Sequence, residues 1–210
     1  MFYDRKEAGK LLAEKLGAYK NAADTVVVAL PRGGVVVGRA VADALELLLD
    51  IVVPRKIGAP GNEEYAIGAI CGNAAVWNER ERAIVDTKWL EEKIAAEKTE
   101  AARRISTYRK GMQPEDFHGK TILLVDDGIA TGLTMRAAIK HLKAQGVAKI
   151  VVAVPIAPPE TIATFTREAD EVIALHQPLF FGAVGFFYEH FKQVEDEEVV
   201  ALMQKSRRSP

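Results

Sequence analysis

Apolar positions recur along the chain with two different periods, and the alternation between them lays out the expected elements. Behind Asp4, a side chain suited to a helix N-cap, Ala8, Leu11, Leu12 and Leu16 repeat at helical spacing up to Gly17 and predict an amphipathic first helix. Thr25-Val26-Val27-Val28-Ala29-Leu30 is then a continuous, mostly β-branched run, the pattern of a strand covered on both faces as in a parallel sheet. It stops at Pro31-Arg32-Gly33-Gly34. Val35 to Leu49 reads as a helix with Arg39, Asp43 and Glu46 on its wetter side, and Asp50 to Ile57 as the next strand. The same order returns later, with a strand over Lys120–Asp126, a loop over Asp127–Thr131, a helix from Gly132 to Gln145 stopped by Gly146, and a strand over Lys149–Val154. Pro158-Pro159 opens a short helix to about Glu168, and Glu171–Leu175 is a last short strand.

Strand, glycine-containing turn, helix and strand in succession make βαβ units, whose crossovers are right-handed and whose loops gather at the C-terminal rim of the sheet, where ligands bind. The expected class is α/β, a central and mostly parallel sheet flanked by helices. Between the two units Gly58–Asp86 is less regular, with strand-like fragments at Ala66–Cys71 and Ala74–Trp77. From Asp86 to about Lys110 a long helix carries Leu90, Ile94, Ala101, Ile105 and Tyr108 on one side. Lys93 with Glu97 and Glu100 with Arg104 are charge pairs at helical spacing, which describes a solvated helix laid on the domain. The other reading is that its basic end, Arg103, Arg104, Arg109 and Lys110, reaches a phosphate or another subunit.

Length and composition narrow the setting. A chain of 210 residues with 49% hydrophobic content can bury one well-formed core, and a single domain over 1–204 is expected, with 205–210 as a disordered tail. A net charge of −1 lacks the positive bias of a nucleic-acid binder, so nucleic acid is disfavoured as a partner. Cys71 stands alone, which excludes an internal disulfide and a clustered-thiol zinc site and fits a reducing compartment; a cytoplasmic location is expected. Met1 to Glu7 has no apolar signal core, and the apolar stretch Gly33–Pro54 is broken by Arg39, Asp43, Glu46 and Asp50, so no membrane association is expected. His118, His141, His176 and His190 have no metal-ligand spacing, and neither a dinucleotide-binding nor a P-loop glycine pattern occurs.

The most specific stretch is Asp126-Asp127-Gly128-Ile129-Ala130-Thr131-Gly132-Leu133-Thr134. A strand delivers two adjacent carboxylates to the rim, and a turn rich in Gly and Thr at once opens a helix. Amides at that helix N-terminus, with the Thr131 and Thr134 hydroxyls, suit a phosphate monoester. Carboxylates repel a phosphate but accept hydrogen bonds from vicinal sugar hydroxyls. Together they imply a ribose 5-phosphate moiety; ordinary turn chemistry explains the Asp-Asp-Gly alone. Pro31-Arg32-Gly33-Gly34 joins a cation to two glycines where the backbone approaches an anion closely, although a tight strand-to-helix turn accounts for it as well. Arg55-Lys56, placed at the end of the next strand, is a third rim feature or a pair of solvated charges.

The complete run from Asp126 to Thr134 resembles the motif that binds 5-phosphoribosyl 1-pyrophosphate (PRPP) in the type I phosphoribosyltransferases, and Pro31–Gly34, Pro54–Gly61 and His118–Pro155 together look like a bacterial branch of that superfamily. The resemblance implies a core at about 20–175, a small hood from 58–86 and 176–204, and the long helix as an insertion. It implies transfer of the 5-phosphoribosyl group of PRPP to a nitrogenous acceptor, a nucleobase among the candidates, with release of pyrophosphate. Asp126 and Asp127 would hold the ribose hydroxyls near the developing cation, and Gly128 to Thr134 the 5-phosphate. Arg32, Gly33, Gly34, Arg55 and Lys56 would hold the pyrophosphate, Arg32 and Lys56 as catalytic cations, with Mg²⁺ carried by PRPP and not by protein ligands. Related enzymes often have a non-proline cis peptide in the first turn, here between Leu30 and Gly33, and a mobile loop at the place of Gly58–Glu64. Ala130 stands where 6-oxopurine enzymes have an aspartate, which argues against hypoxanthine or guanine and brings the run closer to adenine-type versions. The aromatic stretch Phe180–Tyr188, above all Phe186, Phe187 and Tyr188, is the candidate acceptor surface by stacking, or else a satellite core. A homodimer is compatible with the family. The competing function is a PRPP-sensing regulator without turnover, since some superfamily members keep the motif and control gene expression.

Overall fold

The computed structural model describes residues 1–205. The Asp4 carboxylate accepts from the Glu7 amide at 2.7 Å and caps α1 (Arg5–Lys15), which buries Ala8 and Leu12 and leaves Leu11 half open. β1 (Thr25–Ala29) follows, buried throughout, and leads through the glycine turn into α2 (Gly33–Leu45). The helix ends four residues earlier than its apolar run predicts, because Glu46 turns left-handed at φ 58° and sends Leu47 to Ile51 into extended structure. β2 is Leu48–Ile51. Arg39, expected on the wet side of α2, is buried with 6% exposure.

The strand expected over Asp50–Ile57 is two strands in two sheets. Pro54 cannot donate to a ladder, so the chain leaves the first sheet there, and β3 (Arg55–Ala59) starts a second one. β4 (Asn62–Cys71) and β5 (Ala74–Trp77) complete this antiparallel sheet in the order β3-β4-β5. Gly58–Glu64, expected as a hinged loop, is the tip of the β3–β4 hairpin with a register shift at Gly58. α3 (Glu79–Ala83) leads to α4 (Thr87–Arg109), capped by the Asp86 carboxylate on the Trp89 amide at 2.8 Å and closed by Lys110 at φ 44°.

β6 (Thr121–Val125), α5 (Leu133–Ala144), β7 (Lys149–Ile156), α6 (Pro159–Phe165) and β8 (Glu171–His176) then fall within a few residues of their expected places. β2, β1, β6, β7 and β8 form one all-parallel sheet in that order. Alternate residues go to opposite faces. Val27, Ala29, Leu123 and Val125 pack with Leu12 and Leu16, with Val37 and Val41 of α2, and with Tyr108 of α4; Val26, Val28, Ile122 and Leu124 pack with Met135, Ile139 and Leu142 of α5. The tail expected to be disordered contains one residue of a helix the sequence reading missed, α7 (Asp196–Lys205), which buries Val199 and Met203 in the first of these cores. Residues 206–210 lie outside the described residues.

Three of the four cations at the basic end of α4, Arg103, Arg104 and Arg109, are held by the chain's own acids. Arg109 spans the buried Asp50 carboxylate at 3.1 and 3.2 Å and so ties α4 to β2. Arg103 and Arg104 both bind Glu100, holding that carboxyl down to about 2, and Arg103 also reaches Asp196 at 3.5 Å. Burial in the second sheet pushes the Cys71 thiol up to about 12. It is expected to resist a thiol-disulfide reagent at pH 8 until the chain unfolds; stoichiometric labelling of the native protein within minutes would contradict this placement. No helix among the described residues is long and apolar enough to cross a membrane.

Candidate functional site

β1 and β6 are neighbours in register, Ala29 beside Val125, so the loops that leave them meet at one rim. The first loop is pinned by the Leu30 amide donating to the Val125 carbonyl at 3.0 Å, and its Pro31–Arg32 peptide is cis, inside the span where one was expected. Gly33 and Gly34 then open α2 directly against Asp126 and Asp127. A Cβ on Gly34 would lie 2.8 Å from Asp126 Oδ1 and 2.9 Å from Asp126 Cα, and one on Gly33 would run into the Asp127 carboxylate. The glycines are needed here for close approach, since neither has a left-handed backbone.

Two carboxylates on consecutive residues, both inside the rim, raise the energy of the charged form. Burial, and then the Asp127 charge, push Asp126 well above the usual carboxylate range; its Oδ1 accepts from the Asp127 amide at 2.8 Å. Burial also raises Asp127, against which one cation works. Arg5 Nε donates to Asp127 Oδ2 at 2.7 Å while its Nη1 donates to the Lys192 carbonyl at 2.7 Å, and the guanidinium lies 3.7 Å over the Phe191 ring. Arg5 was not legible as a site residue, because nothing in the first helix marks it and its partner is 122 residues away.

The loop after Asp127 is anchored by the Ile129 amide on the Ile156 carbonyl at 2.8 Å and by the Thr161 hydroxyl on the Ala130 carbonyl at 2.9 Å. Gly132, left-handed at φ 76° with the Phe165 ring against it, turns the chain into α5. The first amides of a helix lack intrahelical partners, and here no side chain caps them, with Thr131 exposed and Thr134 half-buried beside them. An uncapped N-terminus of this kind accommodates an oxyanion. The carboxylates, the uncapped start of α5 and the glycine turn thus share one rim.

A family model for the phosphoribosyl transferase domain matches residues 3–172. The chain belongs to the phosphoribosyl transferase family. A Mycobacterium tuberculosis (strain H37Rv) protein provisionally named phosphoribosyl transferase Rv0571c is 39% identical over 212 residues, covering 99% of this chain and 47% of that protein. The chain therefore spans about half the length of the curated relatives it matches. Among solved structures, TT1426 from Thermus thermophilus is 41% identical, with a TM-score of 0.82 over 97% of this chain and 98% of that one. The five-stranded parallel sheet with flanking helices is the architecture expected for a type I phosphoribosyltransferase.

Within this phosphoribosyl transferase fold, the three cations expected around the pyrophosphate are each turned to an acid of the chain. Arg32 reaches Glu195 at 3.6 Å and Asp196 at 3.5 Å at the start of α7. Arg55, which opens β3 instead of ending β2, binds Glu97 of α4 at 2.7 Å. Lys56, on the same short strand, is more open and binds Glu64 at 3.1 Å. Of the three, Arg32 stands next in sequence to the glycines that touch the aspartates, whereas Arg55 is turned to α4. The aromatic stretch divides in two. Phe186 is 75% exposed, whereas Tyr188 is buried between Phe2 and Phe191 and its hydroxyl donates to the Asp127 carbonyl at 2.6 Å. Tyr188 has no open face for stacking; it buttresses the carboxylate loop from a satellite core with Phe2, Ala8 and Ile156. Phe187 packs against that core from its edge.

Proposed function

We propose that the chain transfers the 5-phosphoribosyl group of PRPP to a nitrogenous acceptor and releases pyrophosphate, with Mg²⁺ entering as part of the substrate. The observation that carries this reading is the contact of Gly33 and Gly34 with Asp126 and Asp127, which sets the glycine turn against paired carboxylates. Breaking the C1 bond leaves positive charge on the ribosyl ring and negative charge on the departing diphosphate. The two carboxylates have one guanidinium between them and are held above their ordinary range by burial, so a cation developing beside them gains more than a neutral ground state does. Ribose hydroxyls would donate to Asp126 and Asp127, and the first amides of α5 with Thr131 and Thr134 would take the 5-phosphate. Arg32 and the Gly33 and Gly34 amides would take the diphosphate, Arg32 exchanging Glu195 and Asp196 for it, with Lys56 reaching in from β3.

The hard cation suits this arrangement as a rider on the diphosphate, because magnesium keeps its waters and favours phosphate oxygens. Among the described residues no three acidic, histidine or cysteine side chains converge on a point. For the acceptor, exposed Phe180 and Phe186 are the stacking surfaces that remain in the aromatic stretch.

The test is pyrophosphate release from PRPP and Mg²⁺ over a panel of purines, pyrimidines and simple amines, paired with PRPP binding by calorimetry. Turnover with at least one acceptor is expected, and Asp126→Asn/Asp127→Asn should weaken PRPP binding about a hundredfold or more, the loss of hydrogen bonds to two charged groups. Parent-like PRPP binding by that variant would overturn the site. Tight, Mg²⁺-dependent PRPP binding with no turnover across the panel would replace transfer by sensing.

A further inference from the structure

α1 and α2 cross closely, with Gly9 packed on Val37 and Ala40. Along the open side of this crossing the C-terminal segment folds back and leaves a cleft of about 770 Å³, within the size range of small-molecule sites. Its charge is lopsided. Lys6 and Lys10 come from α1, Arg39 from α2, and Lys192 and Lys205 from the returning segment, while three acids face them. Two of the three acids are already engaged, Asp4 as the cap of α1 and Asp43 in an ion pair with Arg39 Nη2. Lys6, Lys10 and Lys192 have no ion-pair partner among the described residues.

Arg39 is the observation that points to a ligand. It is 6% exposed, yet its Nε and Nη1 are buried and have no hydrogen-bond partner among the described residues. A buried guanidinium with idle N–H groups is costly, and such a group in a native structure calls for an unseen anion or another role. The rest of the cleft limits the anion's shape. Val36, Ala40, Val194 and Leu202 give it an apolar wall, and at its edge Tyr3 lies on His190 with ring centroids 4.4 Å apart and planes 34° apart. Tyr3 is 52% exposed, so its ring is open to a planar group.

We propose that this cleft is a second ligand site, taking a nucleotide whose phosphates lie on Lys6, Lys10 and Lys192 and draw the Arg39 guanidinium out from beneath the cleft wall, and whose base stacks at Tyr3 and His190. It is separate from the rim: of the residues that build the rim, only Arg5 also lines the cleft, and Arg5 is committed to Asp127. The inference does not depend on the transfer reaction.

The probe is 8-azido-ATP with the full chain, photolysed and mapped by peptide mass spectrometry, alongside calorimetry with ATP. Because the rim could also hold a nucleotide phosphate, the binding comparison is made in a Thr131→Glu/Thr134→Glu background, which sets negative charge at the start of α5. Label is expected in peptides containing Tyr3 or His190, and ATP affinity should fall about tenfold or more on adding Lys6→Glu/Lys10→Glu, two exposed positions that leave the thermal midpoint unchanged. Label confined to residues 126–134, or ATP binding indifferent to the two lysine reversals, would overturn the proposal. Pyrophosphate binding as tightly as ATP would remove the base from it and with it the nucleotide.

Discussion

Replacing Arg5 by methionine is expected to destabilise the fold by about 3–5 kcal/mol, the range for removing one partner of a buried ion pair. Arg5 and Asp127 side chains are only 10% and 15% exposed, and the guanidinium also holds the Lys192 carbonyl and covers Phe191. The variant leaves a carboxylate inside the rim with no cation, next to Asp126. Urea titration of Arg5→Met, Asp127→Asn and the double variant separates lost packing from stranded charge. The double variant should recover most of the loss, because its asparagine has no charge to strand. A cost below about 1 kcal/mol for Arg5→Met would mean that the pair is not formed.

The same site fixes a pH dependence. Asp126 and Asp127 both titrate higher in the folded chain than the ordinary aspartate value of about 3.9. Between those values the folded state binds more protons than the unfolded one, so these two groups make stability fall as pH rises from about 4 through their raised range. Arg5→Met removes the guanidinium that lowers Asp127, so its penalty should be larger at pH 8 than at pH 5. A penalty independent of pH would assign Arg5 to packing alone.

What was legible in the sequence was local. β1, β6 and β7 are apolar runs ended by turn residues, and the Asp126–Thr134 stretch keeps its carboxylates, glycine turn and helix start within nine positions, so adjacency in sequence was adjacency in space. The boundary of α2 failed for the opposite reason. Leu45, Leu47, Leu48 and Leu49 continue an apolar run across the helix end, and periodicity cannot see a left-handed Glu46 in its middle. Arg39 looked solvated because arginine usually is, whereas it is 6% exposed beside a cleft that the returning chain between Lys192 and Lys205 also lines, and that return was not visible in the sequence. α7 did carry a signal, an acidic first turn at Asp196-Glu197-Glu198 followed by Val199 and Met203 four apart, which the assignment of 176–204 to a hood passed over. The grouping of Arg32, Arg55 and Lys56 was a statement about side-chain direction, and direction depends on Glu195, Glu97 and Glu64, each supplied by a distant or opposite segment.

The glycines test the geometry from the other side. Gly34→Ala places a methyl 2.9 Å from Asp126 Cα, 2.8 Å from its Oδ1 and 3.1 Å from the Val125 carbonyl, so backbone has to move and α2 must back away from β6. Overpacking of this kind costs about 1–3 kcal/mol. Gly33→Ala meets a different obstacle, the Asp127 carboxylate and, at 2.9 Å, the Arg5 Nε, which are side-chain atoms that rotate away. Its steric cost should therefore be small, but it breaks the Arg5–Asp127 pair and misplaces the carboxylate, so that its loss of stability approaches that of Arg5→Met. Both variants are expected to lower PRPP binding at least tenfold, about 1.4 kcal/mol, and both to lower the urea midpoint, Gly34→Ala through backbone displacement and Gly33→Ala through the broken ion pair. Calorimetry and urea unfolding of the two proteins side by side would check this. If Gly33→Ala bound PRPP as the parent does, contact between the first turn and the aspartates would not be what positions them. The start of α5 alone would then select the ligand.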